Sequence, residues 1–352
     1  MCMSKEKLKN FILILSSVLV LVFVSYVQAE KVVVLLYHRF DDSRYPTTST
    51  TTEELLEHIR YVKSQRYEIW KLKDLEAYLR GDKKLEGTAV VFTVDDGYLT
   101  TFTRAYPVFQ REGVPFSVFL YVEAISRYPD YMTWQMVREM MEDGVEIGVH
   151  SYSHEDFTHL LQEKGRHDLK KVFLTDTLKA LEVLERELGY HPEYYSYPYG
   201  HLTEEMKDIL KDLGFTLAFT QDIGPLNAEY DPLELPREPL LQDWATPEHV
   251  KIVFRREPAV VIWRYPDIRG APYGKPIKVK MRVKDSTVKY PAIYVSEHGW
   301  VETIVENDMI CSREELTLKR GSNRFGIRYM DAQGRWLYRF WYVPTLPAST
   351  VE

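Results

Sequence analysis

From Lys31 to Thr220 the sequence alternates short apolar runs with stretches whose apolar residues recur at helical spacing, and this alternation most limits the fold. Lys31–Tyr37 reads as a buried strand, and 53–65 as a helix with Leu55, Leu56, Ile59 and Val62 on one face. A short strand at 70–72 and a short helix at 74–79 lead to an apolar strand that Gly87 opens and Asp95-Asp96 ends. The pattern continues with a helix over 99–111, a strand over 116–122, a helix from the Thr133 cap to Glu142 and a strand over 145–149. A long helix over 168–188, a strand over 194–197, a helix capped by Thr203 and a strand over 215–220 complete it. Repeated strand–helix units bring each strand back in the same direction. The predicted class is therefore α/β, a distorted (β/α) barrel over residues 30–250.

Beyond residue 250 the helical period disappears. Strands are expected at 260–263, 277–283, 292–295, 301–305, 316–318, 325–329 and 336–343, with hairpin connections at 321–323 and 331–334. This predicts a small all-β sandwich domain over 258–348. Its many aromatics suit either a sugar-binding face or an ordinary core and sheet surface, and the second use is the commoner.

The first 29 residues stand apart. Lys5, Lys7 and Lys9 precede an apolar run over 11–24, and Val27-Gln28-Ala29 resembles a signal-peptidase site. The run is shorter than the roughly 20 residues a spanning helix needs, which favours a cleaved signal peptide over an uncleaved anchor. Either way the body is exported, to the periplasm, cell envelope or exterior, and any membrane association is through this segment. Loss of the leader removes Cys2, leaving Cys311 without an internal disulfide partner. It also removes three lysines and one glutamate, taking the formal charge from −7 to −9. That balance argues against a nucleic-acid partner. Oligomeric state is not encoded in any pattern here.

The unusual polar clusters all fall at predicted strand C-terminal ends: His38, Asp95-Asp96, His150 and the 197–200 stretch. In a (β/α) barrel that is the face where active sites form. Two adjacent carboxylates raise each other's pKa unless a cation or donor is present. Asp95-Asp96-Gly97 is then either a turn or a metal or acid/base site. His150-Ser151-Tyr152-Ser153-His154 spaces two imidazoles four residues apart, which on a helical turn would put them on one side, suited to a divalent transition metal. The competing reading is two incidental histidines.

Taken together, Thr93-Val94-Asp95-Asp96-Gly97, His150-Ser151-Tyr152-Ser153-His154 and Ser196-Tyr197-Pro198-Tyr199-Gly200 resemble the three motifs of the polysaccharide deacetylases, carbohydrate esterases with a NodB-homology domain. An early Tyr37-His38 at a strand end is similar to the poly-N-acetylglucosamine deacetylase branch. The resemblance covers about 31–245. It implies metal-dependent hydrolysis of N-acetyl groups on an N-acetylated polysaccharide. It casts Asp95 as general base and Asp96, His150 and His154 as ligands of a divalent metal, zinc first, with cobalt, nickel or iron as alternatives. It also implies that the backbone N–H of Tyr199 helps hold the oxyanion. Tyr197 and Trp134 are candidate substrate contacts, Trp134 being equally a packing residue at a helix start. Two departures stand out. The arginine that usually opens the third motif is Ser196, and Arg237 is the candidate replacement. A late Leu-x-His motif is missing, and His38 is the candidate general acid. Alternatives kept open are a non-catalytic glycan-binding protein and a metal-dependent amidase on a non-sugar amide.

Overall fold

The computed structural model describes residues 30–347, so the leader lies outside the described residues. A parallel sheet runs in the order Glu238–Pro239, Lys31–Tyr37, Thr88–Val94, Ser117–Leu120, Glu146–Val149, Tyr194–Ser196, Leu217–Phe219, and Glu68–Trp70 also pairs with Thr88–Val94. Residues 235–239 join its two ends. Leu235 pairs with Phe219 of the last strand, while Glu238 and Pro239 pair with Leu35 and Leu36 of the first. The sheet is thereby drawn into a distorted (β/α) barrel.

Strand residues sort by alternation. Val33, Leu35 and Tyr37 enter one apolar cluster with Leu55, Ile59 and Val62 of the helix Thr52–Ser64. Val32 and Val34 face the other way, into a cluster with Phe119, Leu217 and Phe219. Burial on both faces is what a parallel strand between a helical layer and a barrel interior requires, which explains the unbroken apolar runs. Helix ends follow the residues expected of them. The Thr133 and Thr203 side chains cap Trp134–Glu142 and Glu204–Asp212, and Gly113 and Gly189 close their helices in the left-handed conformation.

After the helix Pro247–Val253 the chain is all strand. One sheet orders Glu257–Pro258, Trp336–Leu346, Ser322–Met330, Lys289–Val295 and Gly299–Val301, with Ala271–Pro272 also on Trp336–Leu346. A second orders Val261–Tyr265, Lys280–Val283, Met309–Ser312 and Thr303–Glu306. Inward residues of both, including Val295, Phe325, Ile327, Met281 and Ile310, share one apolar cluster. The expected strand 277–283 is split. Ile277 pairs with Leu316, whereas Lys280–Val283 joins the second sheet. Ile277, Val279, Met281 and Val283 keep one buried face across the break, so the sequence pattern is continuous although the pairing partner changes. The expected connection at 321–323 is also shorter, because Ser322 and Asn323 already belong to the strand Ser322–Met330.

The two parts are tied together. Lys31 Nζ donates to the carbonyls of Phe254 and Arg256 and to Glu257 Oε1, each at 2.9 Å. Buried Glu234 pairs with Arg264 at 2.5 Å and Arg339 at 3.2 Å. Tyr342, Leu346 and Ile268 pack into the barrel's own apolar cluster.

Candidate active site

Four strand ends and the closing segment converge on Asp95 and Asp96. Both follow the strand Thr88–Val94, and Asp95 N–H donates to Tyr37 O at 2.9 Å. Asp96 sits at φ +73°, and Gly97 after it at φ +78°. A side chain at Gly97 would meet Leu120 at 2.8 Å, so this turn needs glycine. Ser151, His154 and Tyr199 are also left-handed, at φ +62°, +55° and +60°. Non-glycine residues held in this region cost free energy and cluster where side-chain direction matters.

Asp95 is fully buried and held on both oxygens by Arg237. The guanidinium donates to Oδ1 at 2.7 Å and to Oδ2 at 2.6 Å. Its Nε donates to Thr220 O at 2.9 Å, which fixes the plane of the fork. Ser196 stands at the motif position where an arginine was expected. Its Oγ donates to Asp95 Oδ2 at 3.0 Å and accepts from Arg237 at 2.8 Å. Burial alone would raise the Asp95 carboxyl, but Arg237 and then the neighbouring imidazoles outweigh it and hold Asp95 below the usual carboxylate value.

Asp96 Oδ1 lies 3.3 Å from His150 Nε2 and 3.2 Å from His154 Nε2. His150 Nδ1 is 2.8 Å from Ser196 O. Since a carbonyl can only accept, Nδ1 carries the proton and Nε2 offers its lone pair. Asp96 Oδ1 and His150 Nε2 are both buried without a hydrogen-bond partner. Ligand atoms of Asp96, His150 and His154 all lie within 4.8 Å of one another. Two imidazoles and one carboxylate gathered this closely, with two of their buried atoms lacking a partner, fit a divalent transition metal. The two histidines do not share a helical turn, contrary to the spacing argument. His150 ends the strand Glu146–Val149, and a loop through left-handed Ser151 brings His154 back, with His154 N–H on Ser151 Oγ at 2.7 Å.

His38 follows the first strand, is 9% exposed and has a buried Nδ1 without a partner. Burial lowers its pKa, and the charges of Asp96 and Asp95 partly offset this. Tyr199 is half exposed, its ring edge-on to His154 with centroids 4.9 Å apart. Tyr197, expected at the substrate, is instead fully buried, with its hydroxyl donating to Leu233 O at 3.0 Å. Strand alternation explains this, since Ser196 and Tyr197 must face opposite ways. Trp134 is half buried at its helix start, packed against the barrel's apolar cluster.

Several residues at the site were not singled out in the sequence. Tyr98, Tyr121 and Tyr131 form a wall beside His154, with ring centroids at 4.8 Å for Tyr98–Tyr131, 5.7 Å for Tyr121–Tyr131 and 5.3 Å for Tyr121–His154. Asp176, on the helix Gly165–Leu188, accepts from the backbone N–H groups of Tyr152 at 2.7 Å and Ser153 at 2.9 Å, pinning the loop between the two histidines. A carboxylate within the buried stripe Phe173, Thr177, Ala180, Leu184 was the signal that could have found it.

Residues 82–218 match the family model described as polysaccharide deacetylase. Over these residues the chain is similar to the polysaccharide deacetylases. The chain is 26% identical over 214 residues to the poly-β-1,6-N-acetyl-D-glucosamine N-deacetylase of Escherichia coli K12, covering 51% of this chain and 32% of that one. The chain thus spans about a third of that curated relative, and 66% of a Bacillus subtilis relative. Among solved structures, IcaB from Ammonifex degensii is 26% identical with a TM-score of 0.56, covering 64% of this chain and 98% of that one. The Streptococcus pyogenes deacetylase PplD, at 18% identity and a TM-score of 0.57, shares the fold over 65% of this chain and 99% of its own. In each structural match about a third of this chain lies outside the alignment.

Proposed function

We propose that this chain removes N-acetyl groups from N-acetylglucosamine-containing polysaccharide by metal-dependent hydrolysis, releasing acetate. What carries the reading is the meeting of two constellations at one barrel face: the Asp95–Arg237 pair and the Asp96, His150, His154 ligand set. A divalent cation held by Asp96, His150 and His154, zinc by its donor set, would acidify a water and polarise the acetamide carbonyl.

Asp95 is the general base. Arg237 keeps it ionised and fixes both oxygens, leaving their remaining lone pairs for the proton of the attacking water. Tyr199 lends its backbone N–H to the carbonyl oxygen as that oxygen takes on charge. His38, on the same face, delivers the proton that the departing amine needs when the C–N bond breaks. The net change is one water added across that bond. Residues 30–250 form the catalytic unit in this reading, and 258–348 an accessory β-sandwich. Residues 1–29 act as the leader of an exported protein; among the described residues no helix is long and apolar enough to cross a membrane.

An acetate-release panel tests this, using β-1,6-linked and β-1,4-linked N-acetylglucosamine oligomers, peptidoglycan and a cyclic amide. Acetate from at least one glycan, stopped by a strong chelator, is expected. Activity confined to the cyclic amide, or glycan binding with no acetate from any substrate, would overturn it.

A further inference from the structure

A cavity of about 660 Å³ opens where the β-strand part meets the barrel face. Trp244 and Pro239 line it from the barrel side; Trp300, Tyr294 and Arg320 line it from the β part. His201 forms part of its wall, and His201 is two ring contacts from the candidate metal ligands. Its ring lies 6.0 Å from Tyr199, whose ring lies 4.9 Å from His154. Arg324 spans the seam, donating to Asp222 Oδ1 at 3.1 Å and Tyr199 O at 3.4 Å.

The two tryptophans are built as platforms. Trp300 carries the Arg328 guanidinium 4.2 Å from its ring centre and meets Tyr294 and Phe340 at steep angles of 62° and 78°, yet stays 41% exposed. Trp244 stacks on His249 at 5.7 Å with 11° between planes, yet is 47% exposed. An aromatic ring backed by protein and open elsewhere gives a rigid apolar plane at little entropy cost. Gln221, Ser296 and Ser322 supply hydroxyl and amide groups around those planes. Alternating apolar plane and polar edge is the surface a pyranose ring presents, apolar on its C–H faces and polar at its rim.

We infer that this seam is an extended glycan subsite, in which sugar units neighbouring the one being deacetylated lie between Trp244 of the barrel part and Trp300 of the β part. The inference rests on the deacetylase reading and adds that the β part shares directly in substrate binding. Its consequence is chain-length dependence: a long oligomer reaches the seam from Tyr199, and a short one does not.

The test compares kcat/KM for acetate release from a dimer and a pentamer of N-acetylglucosamine, in β-1,4 and β-1,6 linkage, in the full chain and in Trp300→Ala and Trp244→Ala. The full chain is expected to prefer the pentamer. Each variant, although the two residues stand on opposite walls, should cut the pentamer-to-dimer ratio by roughly fivefold or more, mainly through KM. Equal use of dimer and pentamer by the full chain, or variants that lower both substrates alike or neither, overturns the subsite while leaving the deacetylase reading standing. No acetate from either oligomer series, when the complete panel also yields none, overturns that reading and the subsite with it.

Discussion

Arg237 and Asp95 are both fully buried, and each makes the other tolerable. Removing the cation would leave burial to dominate the carboxyl. Arg237→Gln is therefore expected to raise the Asp95 pKa, so that the acid limb of the kcat/KM profile moves to higher pH. Activity near neutrality should fall about 10²-fold or more. A loss of activity with an unmoved acid limb would argue that Arg237 serves only structure. As the proposed general acid, His38 would set the opposite limb. An acid must hold its proton to work, and burial lowers this imidazole, so activity should decline as pH rises through a value below that of an ordinary histidine. His38→Gln should lower kcat roughly 10²-fold and abolish that alkaline limb. The paired aspartates, His150 and His38 were legible as candidates in the sequence because each follows an apolar strand, and His154 through its spacing from His150. Arg237 was legible only as a candidate, since its contact with Asp95 spans 142 positions along the chain. The burial of Tyr197 was not legible from its motif, because a strand turns successive residues to opposite faces.

Elements set the precision of the site. The loop after Glu146–Val149 carries His154 and is pinned by Asp176 from the helix Gly165–Leu188. Asp176→Ala would free two backbone donors and loosen His154. Metal affinity is expected to drop about 10- to 100-fold, readable by competition with a chromogenic chelator. His58, on the helix Thr52–Ser64, performs a similar task for the first strand. Its Nδ1 accepts from the Tyr37 hydroxyl at 3.0 Å, and its Nε2 donates to Ala245 O at 2.7 Å. Burial lowers its pKa to about 4. The unfolded chain therefore binds a proton first as pH falls, and stability should decrease between about pH 6.5 and about pH 4 by roughly 3 kcal/mol. Urea unfolding at pH 7.5 and pH 5 should show that slope, and His58→Gln should flatten it. The strands and helices of the barrel were readable because period-2 and period-3.6 patterns differ. The closing segment 235–239 was not, because two paired residues at its end, one of them a proline, carry no periodic signal.

At the scale of the molecule, the barrel face and the β part share a border of buried ion pairs and apolar contacts. Glu234 is 5% exposed and serves both Arg264 and Arg339. Glu234→Ala leaves two arginines uncompensated at this border, and a loss of about 3 kcal/mol is expected in urea unfolding. A change within a few tenths of a kcal/mol would show the border to be incidental. The change from alternating to all-strand pattern near residue 250 was legible in the sequence, but this coupling was not, because it depends on side chains that meet only in the folded chain.

In the proposed hydrolysis, Asp95 and the Asp96, His150, His154 set perform separate tasks. Asp95→Asn tests this most directly, with bound metal and released acetate measured on the same preparation. One metal per chain with acetate release reduced about 10³-fold or more is the predicted result. Full acetate release by the variant, or unimpaired release from protein stripped of metal, would contradict the account.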